Sequence, residues 1–175
     1  AADAVRELKE AGITKVVMMT GDSERTAAAI AKRVGVDEYY SEVLPEDKAS
    51  FVEKEKELGH KVIMIGDGIN DSLALSSASV GIAISDGAAI AREIADVTIS
   101  ADNLHEIVTL KRLSTALMKR IHNNYRTIIG INGGLIALGV TGIIMPTTSA
   151  LLHNMSTLTI SLRSMRNLLP KEEEA

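Results

Sequence analysis

Short apolar runs alternate with longer stretches of mixed polarity through about the first hundred residues of the chain. Apolar runs bounded by glycine or polar turns indicate buried strands, and the mixed stretches indicate surface helices. Regular alternation of the two predicts βαβ units and a parallel sheet covered on both faces. The predicted helices are Ala2–Ala11, Ser23–Val34, Glu46–Leu58, Asp71–Ala78 and Ala88–Ala95, and the predicted strands are Lys15–Met19, Val36–Val43 at an edge, the start of Lys61–Leu75, Val80–Ile84 and Val97–Ile99.

The pattern changes after Asn103. Leu104–Arg126 has a helical pattern rich in lysine and arginine, which predicts a basic amphipathic connecting helix. Thr127–Met145 then contains nineteen residues without a formal charge, close to the ~20 needed to span a bilayer. A second stretch, Pro146–Leu162, is uncharged apart from His153. Two such stretches joined by a short turn predict a helical hairpin.

Basic residues flank both ends of this hairpin, whereas its turn has none. Because lysine and arginine mark the cytoplasmic side of membrane helices, the pattern predicts a transmembrane hairpin with both ends in the cytoplasm. The alternative is a buried helical pair in a soluble protein. We therefore expect a multi-pass protein of the cell membrane, with the lipid bilayer as partner and a cytoplasmic α/β domain. The expected division is 1–103, 104–126, 127–169 and an acidic tail at 170–175.

Candidate chemistry is concentrated at the Gly-Asp-Gly turn of Lys61–Leu75, which follows an apolar strand and precedes a helix. Ligands of doubly wound proteins bind at such carboxyl ends of strands. Asp67 and Asp71 offer carboxylate oxygens, which are the ligands that Mg²⁺ prefers. The alternative is an aspartate-rich turn that only caps a helix.

Two further turns supply groups that bind phosphate. Thr20-Gly21-Asp22 follows the strand Lys15–Met19, and its hydroxyl and backbone N–H groups can hold phosphate oxygens. Pro45 suits the first turn of a helix and places Lys48 near the helix start, where its ammonium can neutralise phosphate. An ordinary solvated lysine is the alternative.

Composition narrows the function classes. The chain has 175 residues, no cysteine and a net charge of -4. Disulfides and cysteine-based metal or redox sites are therefore excluded within it. Nucleic acid is not an expected partner, because the sequence has no basic face with interleaved aromatic residues.

Three motifs, Thr20–Asp22, Pro45–Lys48 and Gly66–Asp71, occur in this order and at a specific spacing. In this respect the chain resembles the phosphorylation domain of P-type ATPases, which belong to the haloacid-dehalogenase-like superfamily. The resemblance implies a Rossmann-like parallel sheet. It also implies an incomplete one, because the family's phosphorylated aspartate in Asp-Lys-Thr-Gly-Thr is absent. The chain then corresponds to the C-terminal part of a pump, and the missing N-terminal part is an expected partner.

The resemblance implies hydrolysis of ATP through an aspartyl-phosphate intermediate, with Mg²⁺ as cofactor and export of a metal cation. Asp67 and Asp71 would ligate Mg²⁺, and Asp22 would support the loop and the hinge towards the nucleotide. The chain alone is expected to be inactive. The implied catalytic residues are Thr20, Gly21, Lys48, Asn70 and Asp71.

Two helices after the domain are typical of the heavy-metal branch of the family, so a heavy-metal ion is the expected cargo. Candidate ligands are the polar residues Asn132, His153, Ser156 and Thr157. Compared with copper pumps, His153 stands where methionine is usual, which disfavours copper(I). Imidazole with oxygen donors suits a divalent ion such as Zn²⁺, Co²⁺, Fe²⁺, Mn²⁺ or Cd²⁺. The alternative is that His153 only bonds a neighbouring helix.

Two other functions stay open. One is a soluble phosphatase of the same superfamily, which the missing nucleophile opposes. The other is a membrane-anchored, non-catalytic module that binds Mg²⁺ or a partner. The residues upstream of Ala1 would distinguish them, since an Asp-Lys-Thr-Gly-Thr there indicates a pump.

Overall fold

The computed structural model describes residues 2–67, 69–84, 93–99 and 104–168. Most of the predicted helix Ala88–Ala95 and all of the acidic tail 170–175 lie outside these residues. The chain forms two compact units, residues 1–109 and residues 110–175. The boundaries after residues 103, 126 and 169 stay a prediction.

The first unit follows the predicted alternation of strands and helices. The first two strands are shorter than predicted, and the last two have the predicted bounds. A 3-10 turn at Ile69–Asp71 precedes the fourth helix. The elements are α1 (Ala2–Glu10), β1 (Val17–Met19), α2 (Glu24–Val34), β2 (Glu38–Tyr40), α3 (Pro45–Glu57), β3 (Ile63–Gly66), α4 (Ser72–Ser77), β4 (Val80–Ile84) and β5 (Val97–Ile99).

All described strands pair in parallel, as predicted, but they form two sheets rather than one. β1 pairs with β2, with Met19 opposite Tyr40. β3 pairs with β4, which pairs with β5. Within the described residues β1 and β3 each have one strand partner, so each keeps one unpaired edge. Such edges present free backbone N–H and C=O groups.

Helices α3 and α4 pack together over β3. Ala49 and Val52 of α3 are buried against Ala74 of α4, and Met64 of β3 packs against this cluster. The close approach of α4 to β4 requires glycine at position 81, because a Cβ there would lie 2.7 Å from the Leu75 carbonyl oxygen. This packing fixes the position of the loop between β3 and α4.

Two long helices follow. α5 (His105–Val140) begins in the first unit and continues through Arg126 without a break, and α6 (Pro146–Ser164) follows a short turn. Pro146 begins α6, as expected for a residue whose missing N–H costs nothing in the first turn. Gly142 in the turn has a φ of +74°, a conformation that glycine adopts readily. The predicted pair of helices is therefore present.

The predicted transmembrane hairpin is not supported. No helix among the described residues is both long and apolar enough to cross a membrane. The prediction rested on the lack of formal charge in both stretches and on the basic residues at their flanks. Many of their residues are nonetheless glycine, serine, threonine or asparagine, which lower the apolar content without adding charge.

α5 and α6 are held together by polar contacts near the end of α6. The Arg120 guanidinium donates to the carbonyl oxygens of Ser164, Arg166 and Asn167, and the Asn124 amide donates to the Ser164 hydroxyl at 2.6 Å. The last carbonyl groups of a helix have no partner within the helix. Arg120 therefore supplies hydrogen bonds that the end of α6 lacks.

Candidate active site

The Thr20–Asp22 turn directly follows β1 and closes on itself. The Thr20 hydroxyl donates to the Asp22 carboxylate at 2.9 Å, and the Asp22 backbone N–H donates to the Thr20 hydroxyl oxygen at 3.1 Å. Asp22 thus supports the loop in this conformation. The same contact engages the only proton of the Thr20 hydroxyl.

Backbone hydrogen bonds hold this turn against the segment after β2. The Thr20 N–H donates to the Tyr40 carbonyl at 3.0 Å, the Glu42 N–H donates to the Asp22 carbonyl at 2.9 Å, and the Val43 N–H donates to the Thr20 carbonyl at 3.0 Å. Glu42 has a φ of +54°, which is uncommon outside glycine. Its conformation turns the chain so that both loops run side by side.

Lys48 lies in the first turn of α3 and points to the next loop. The Asp47 carboxylate accepts a hydrogen bond from the Leu44 N–H at 3.2 Å, which satisfies a backbone group at the helix start. The Lys48 ammonium lies 2.7 Å from Asp71 Oδ1, and the two side chains are only 14% and 10% exposed. The structure therefore brings together two of the predicted site residues in a mostly buried ion pair.

Gly66 at the end of β3 makes room for Asp71. A Cβ at position 66 would lie 2.6 Å from the Asp71 Cβ, closer than two carbons can approach. Asp67 and Asn70 are exposed beside this point. The two carboxylates of this loop, Asp67 and Asp71, are donors of the kind that fits Mg²⁺. However, no group of three or more His, Asp or Glu side chains in the described part could hold a metal.

The predicted site residues fall into connected groups. The turn at Thr20–Asp22 bonds Val43, which lies two residues before the start of α3, and α3 carries Lys48 to Asp71. No hydrogen bond or ion pair among the described residues joins Thr20–Asp22 directly to the loop after β3. The two predicted halves of the site are thus related through α3.

A cavity of about 320 Å³ lies at the carboxyl ends of β1 and β2. Met19, Tyr40 and Glu42 contribute to its wall, whereas Thr20 and Lys48 do not. The sequence predicted a ligand crevice at this end of the strands. The cavity is beside the predicted phosphate-binding groups rather than between them.

The sequence did not reveal how Glu24 supports the turn. Glu24 begins α2 directly after the loop, and it accepts hydrogen bonds from the hydroxyls of Ser41 at 2.6 Å and Tyr39 at 2.7 Å. The bond from Ser41 has the larger effect and the bond from Tyr39 the smaller, and both hold the pKa of Glu24 below its usual value. In turn, the bond to Glu24 raises the pKa of Tyr39. The only sequence signal was an acidic residue in a first helical turn.

Asp37 has a similar supporting role at the start of β1. Its carboxylate lies 2.7 Å from the Lys9 ammonium and accepts a hydrogen bond from the Val16 N–H at 2.8 Å. Both hydrogen bonds lower the pKa of Asp37, and the bond from Lys9 has the larger effect. No sequence motif marked this residue.

In the second unit, the candidate cargo ligands lie together on α5 and α6. Asn132 Oδ1 and His153 Nδ1 are 2.8 Å apart. The hydroxyls of Ser156 and Thr157 donate to the His153 carbonyl oxygen at 2.8 and 3.0 Å. A bond from His153 to a neighbouring helix is the alternative to metal binding that the sequence left open.

Known proteins are similar to this chain in sequence. The profile of haloacid dehalogenase-like hydrolases matches residues 1–79. The zinc-exporting P-type ATPase of Mycobacterium marinum is 36% identical over 167 residues, which are 95% of this chain and 23% of that protein. The chain is a homologue of heavy-metal-exporting P-type ATPases. The copper-exporting P-type ATPase of Bacillus subtilis is 39% identical over 163 residues, which are 93% of the present chain and 20% of the Bacillus protein.

A solved structure extends the similarity to the fold. A zinc-transporting PIB-type ATPase in the E2.Pi state superposes with a TM-score of 0.88 at 32% identity. The alignment covers 97% of the present chain and 27% of the solved ATPase chain. The predicted resemblance to heavy-metal P-type ATPases and the haloacid-dehalogenase-like α/β fold are thereby confirmed. The present chain spans about a quarter of the length of these relatives.

Proposed function

We propose that this chain is the C-terminal part of an ATP-driven exporter of a heavy-metal cation, which works through an aspartyl-phosphate intermediate. The observation that carries the proposal is the mostly buried pair of Lys48 and Asp71, whose atoms are 2.7 Å apart. A buried ion pair is weak support for stability, since desolvation offsets most of the attraction. The pair lies at the loop that follows β3, where doubly wound sheets bind their ligands, which favours a role in binding.

The arrangement fits phosphoryl transfer, which depends mainly on positioning and on neutralising charge. In this proposal Gly21 and the hydroxyl of Thr20 hold phosphate oxygens, and Asp22 keeps the turn in shape. Lys48 neutralises developing negative charge, and Asn70 orients the phosphoryl group. Each group lies at the carboxyl end of a strand or at a helix start, where rigid backbone limits its movement.

Asp67 and Asp71 would hold Mg²⁺ in the working enzyme. When bound, Mg²⁺ supplies positive charge that stabilises the transferring phosphoryl group. For Asp71 the present partner is Lys48, so one of its carboxylate oxygens is already engaged. The exposed carboxylate of Asp67 is the more accessible ligand.

The acceptor aspartate belongs, in this proposal, to the remaining part of the pump. The unpaired edges of β1 and β3 support this view, since a parallel strand between them would complete one sheet. The carboxyl end of that strand would emerge between Thr20 and Asp67. A nucleophile placed there would lie among the groups assigned to phosphate and to Mg²⁺.

The cargo is, in this proposal, a divalent heavy-metal ion. The relatives named above export zinc or copper. His153 offers an imidazole nitrogen, and Asn132, Ser156 and Thr157 offer oxygens nearby. Nitrogen with oxygen donors suits a borderline divalent ion better than copper(I), which prefers sulfur.

The test is Asp67→Asn in the intact pump. With radiolabelled ATP, Mg²⁺ and the transported ion present, the variant should form no phosphoenzyme, because one Mg²⁺ ligand is lost. Asp3→Asn is the matched control, since Asp3 is an exposed aspartate paired with Arg6, and it should label normally. Normal labelling of the Asp67 variant would refute the assignment.

The chain alone should not label either. Adding the upstream part of the pump as a separate polypeptide should restore labelling, because its strand can pair with β1 and β3. Labelling by the chain alone would show that its own residues contain the acceptor. No labelling by the intact pump would exclude the aspartyl-phosphate mechanism.

A further inference from the structure

The contact between α5 and α6 at Asn132 and His153 has a defined chemical direction. Asn132 Oδ1 lies 2.8 Å from His153 Nδ1. An amide oxygen only accepts hydrogen bonds, so the imidazole must donate from Nδ1. In the neutral ring the other nitrogen, Nε2, then carries no proton and has a free lone pair.

We propose that Asn132 is a positioning residue that fixes the Nδ1–H tautomer of His153, so that Nε2 is the ligand for the transported divalent ion. This inference rests on the proposed function of the chain as part of a metal exporter. It separates two residues that the sequence placed together as candidate ligands. His153 contacts the ion, and Asn132 acts through His153.

The chemistry of metal-bound histidine supports this division. A histidine that ligates a metal through one nitrogen almost always donates its other N–H to an oxygen, which fixes the ring orientation and increases the basicity of the ligand. The Asn132 amide provides that oxygen from a different helix. The bond therefore sets the direction in which Nε2 is presented.

Ser156 and Thr157 are less suited to replace His153. Both hydroxyls donate their proton to the His153 carbonyl oxygen, at 2.8 and 3.0 Å. These bonds hold the hydroxyls against their own helix. His153 is thus the strongest donor for a borderline divalent ion among the four candidates, and the other ligands come from elsewhere in the pump.

The tautomer is measured first, by long-range proton–nitrogen NMR on the full 175-residue chain. His153→Gln identifies the resonances. At a pH where the ring is neutral, the native chain should show a protonated Nδ1 and a bare Nε2. Asn132→Leu should shift the ring towards the Nε2–H form, and Asn132→Asp should keep the native pattern, because its carboxylate also accepts. Asn154→Leu, next to His153 in sequence, is the matched control and should change nothing.

The intact pump is measured second, by its ATP hydrolysis as a function of free Zn²⁺. Asn132→Leu should raise the half-saturating Zn²⁺ concentration 10- to 100-fold, as is typical when the supporting partner of a ligand is lost. Asn132→Asp should restore the affinity. His153→Gln should lose stimulation by Zn²⁺.

The outcomes separate the two proposals. A native chain with Nε2–H, or an NMR spectrum that Asn132→Leu leaves unchanged, overturns the role of Asn132 even if the pump responds to Zn²⁺. Stimulation by Zn²⁺ that survives in His153→Gln also overturns it. A pump that no divalent metal stimulates, with the predicted tautomer still present, instead counts against the proposed function. Stimulation by copper(I) alone rejects the divalent ion as cargo.

Discussion

The two units of the chain hold their polar residues in different ways. In residues 1–109 the Lys48–Asp71 pair lies among packed strands and helices, and every buried hydrophobic residue of the described part belongs to this unit. In residues 110–175 the helix α6 has no buried residue. Its contacts with α5 that fix a side chain are hydrogen bonds, such as those of Arg120, Asn124 and His153.

This difference determines how much a substitution should change the free energy of unfolding. A polar group surrounded by packed atoms cannot rearrange, so loss of its partner leaves it buried and unsatisfied. A polar group on an exposed helix can turn to water instead. We therefore expect substitutions in the first unit to alter stability, and substitutions of hydrogen-bonding residues in the second unit to alter mainly geometry and ligand affinity.

The largest effect should come from Lys48→Met. The substitution leaves the Asp71 carboxylate, 10% exposed, without its cation, and breaking a buried pair in this way costs about 3–5 kcal/mol. The urea midpoint of the first unit should fall accordingly. Lys54→Met, at an exposed position of the same helix, is the control and should shift the midpoint little.

A double variant sharpens this prediction. Lys48→Met combined with Asp71→Leu removes both charges, so it should recover much of the lost stability. If the single and double variants unfold at the same urea concentration, the pair is not buried in the way described. Tyrosine fluorescence can follow the transition, because Tyr39 and Tyr40 lie in the first unit.

A glycine-to-alanine substitution should change stability in opposite directions in the two units. Gly66→Ala places a Cβ 2.6 Å from the Asp71 Cβ, and such overpacking costs about 1–3 kcal/mol. Gly133→Ala, in the interior of α5, meets nothing within 4 Å and should stabilise the helix by about 1 kcal/mol. Thermal melting followed by circular dichroism measures both. A destabilised Gly133→Ala chain would show that α5 is packed more tightly than described.

The smallest effect should be a response to acid that is confined to the first unit. The pKa values of Glu24 and Asp37 are lowered from the ordinary 4.5 and 3.8. Their contribution to stability is therefore fully present above those values and is lost as the pH falls through the lowered folded-state pKa values. Residues 110–168 contain no aspartate or glutamate.

The measurement is the urea midpoint at pH 5 and at pH 3. Tyr125→Phe leaves both remaining tyrosines in the first unit, so their fluorescence reports on that unit alone. Glu24→Gln should reduce the loss of stability between the two pH values. An equal loss with and without Glu24 would remove its hydrogen bonds from the explanation.

Sequence patterns were sufficient where function and local structure share the same residues. The strand end, the loop and the helix start follow one another directly in sequence, so the position of Asp71 at the start of α4 followed from local rules. Lys48 followed from Pro45, which marks the start of α3. The meeting of Lys48 with Asp71, in contrast, depends on how α3 packs against α4, and no local rule encodes it.

Other features depend on register or on polarity that charge counting overlooks. Glu24 meets Tyr39 and Ser41 because β1 and β2 pair with Met19 opposite Tyr40, and a one-residue slip would place these side chains on the other face. The separation into two sheets depends on which edges are paired, which a strand pattern does not specify. The transmembrane prediction rested on the missing charges and the basic flanks, whereas glycine, serine, threonine and asparagine keep the apolar content of both stretches low.

The two separate sheets also bear on how the chain folds. Each described sheet joins strands that follow one another directly, β1 with β2, and β3 with β4 and then β5. Pairing between neighbours in sequence closes shorter loops than pairing with a distant strand, which costs less chain entropy. Neither ladder requires the other as a template. Folding of the first unit therefore has two independent starting points, and α3 brings the two folded halves together when it carries Lys48 to Asp71.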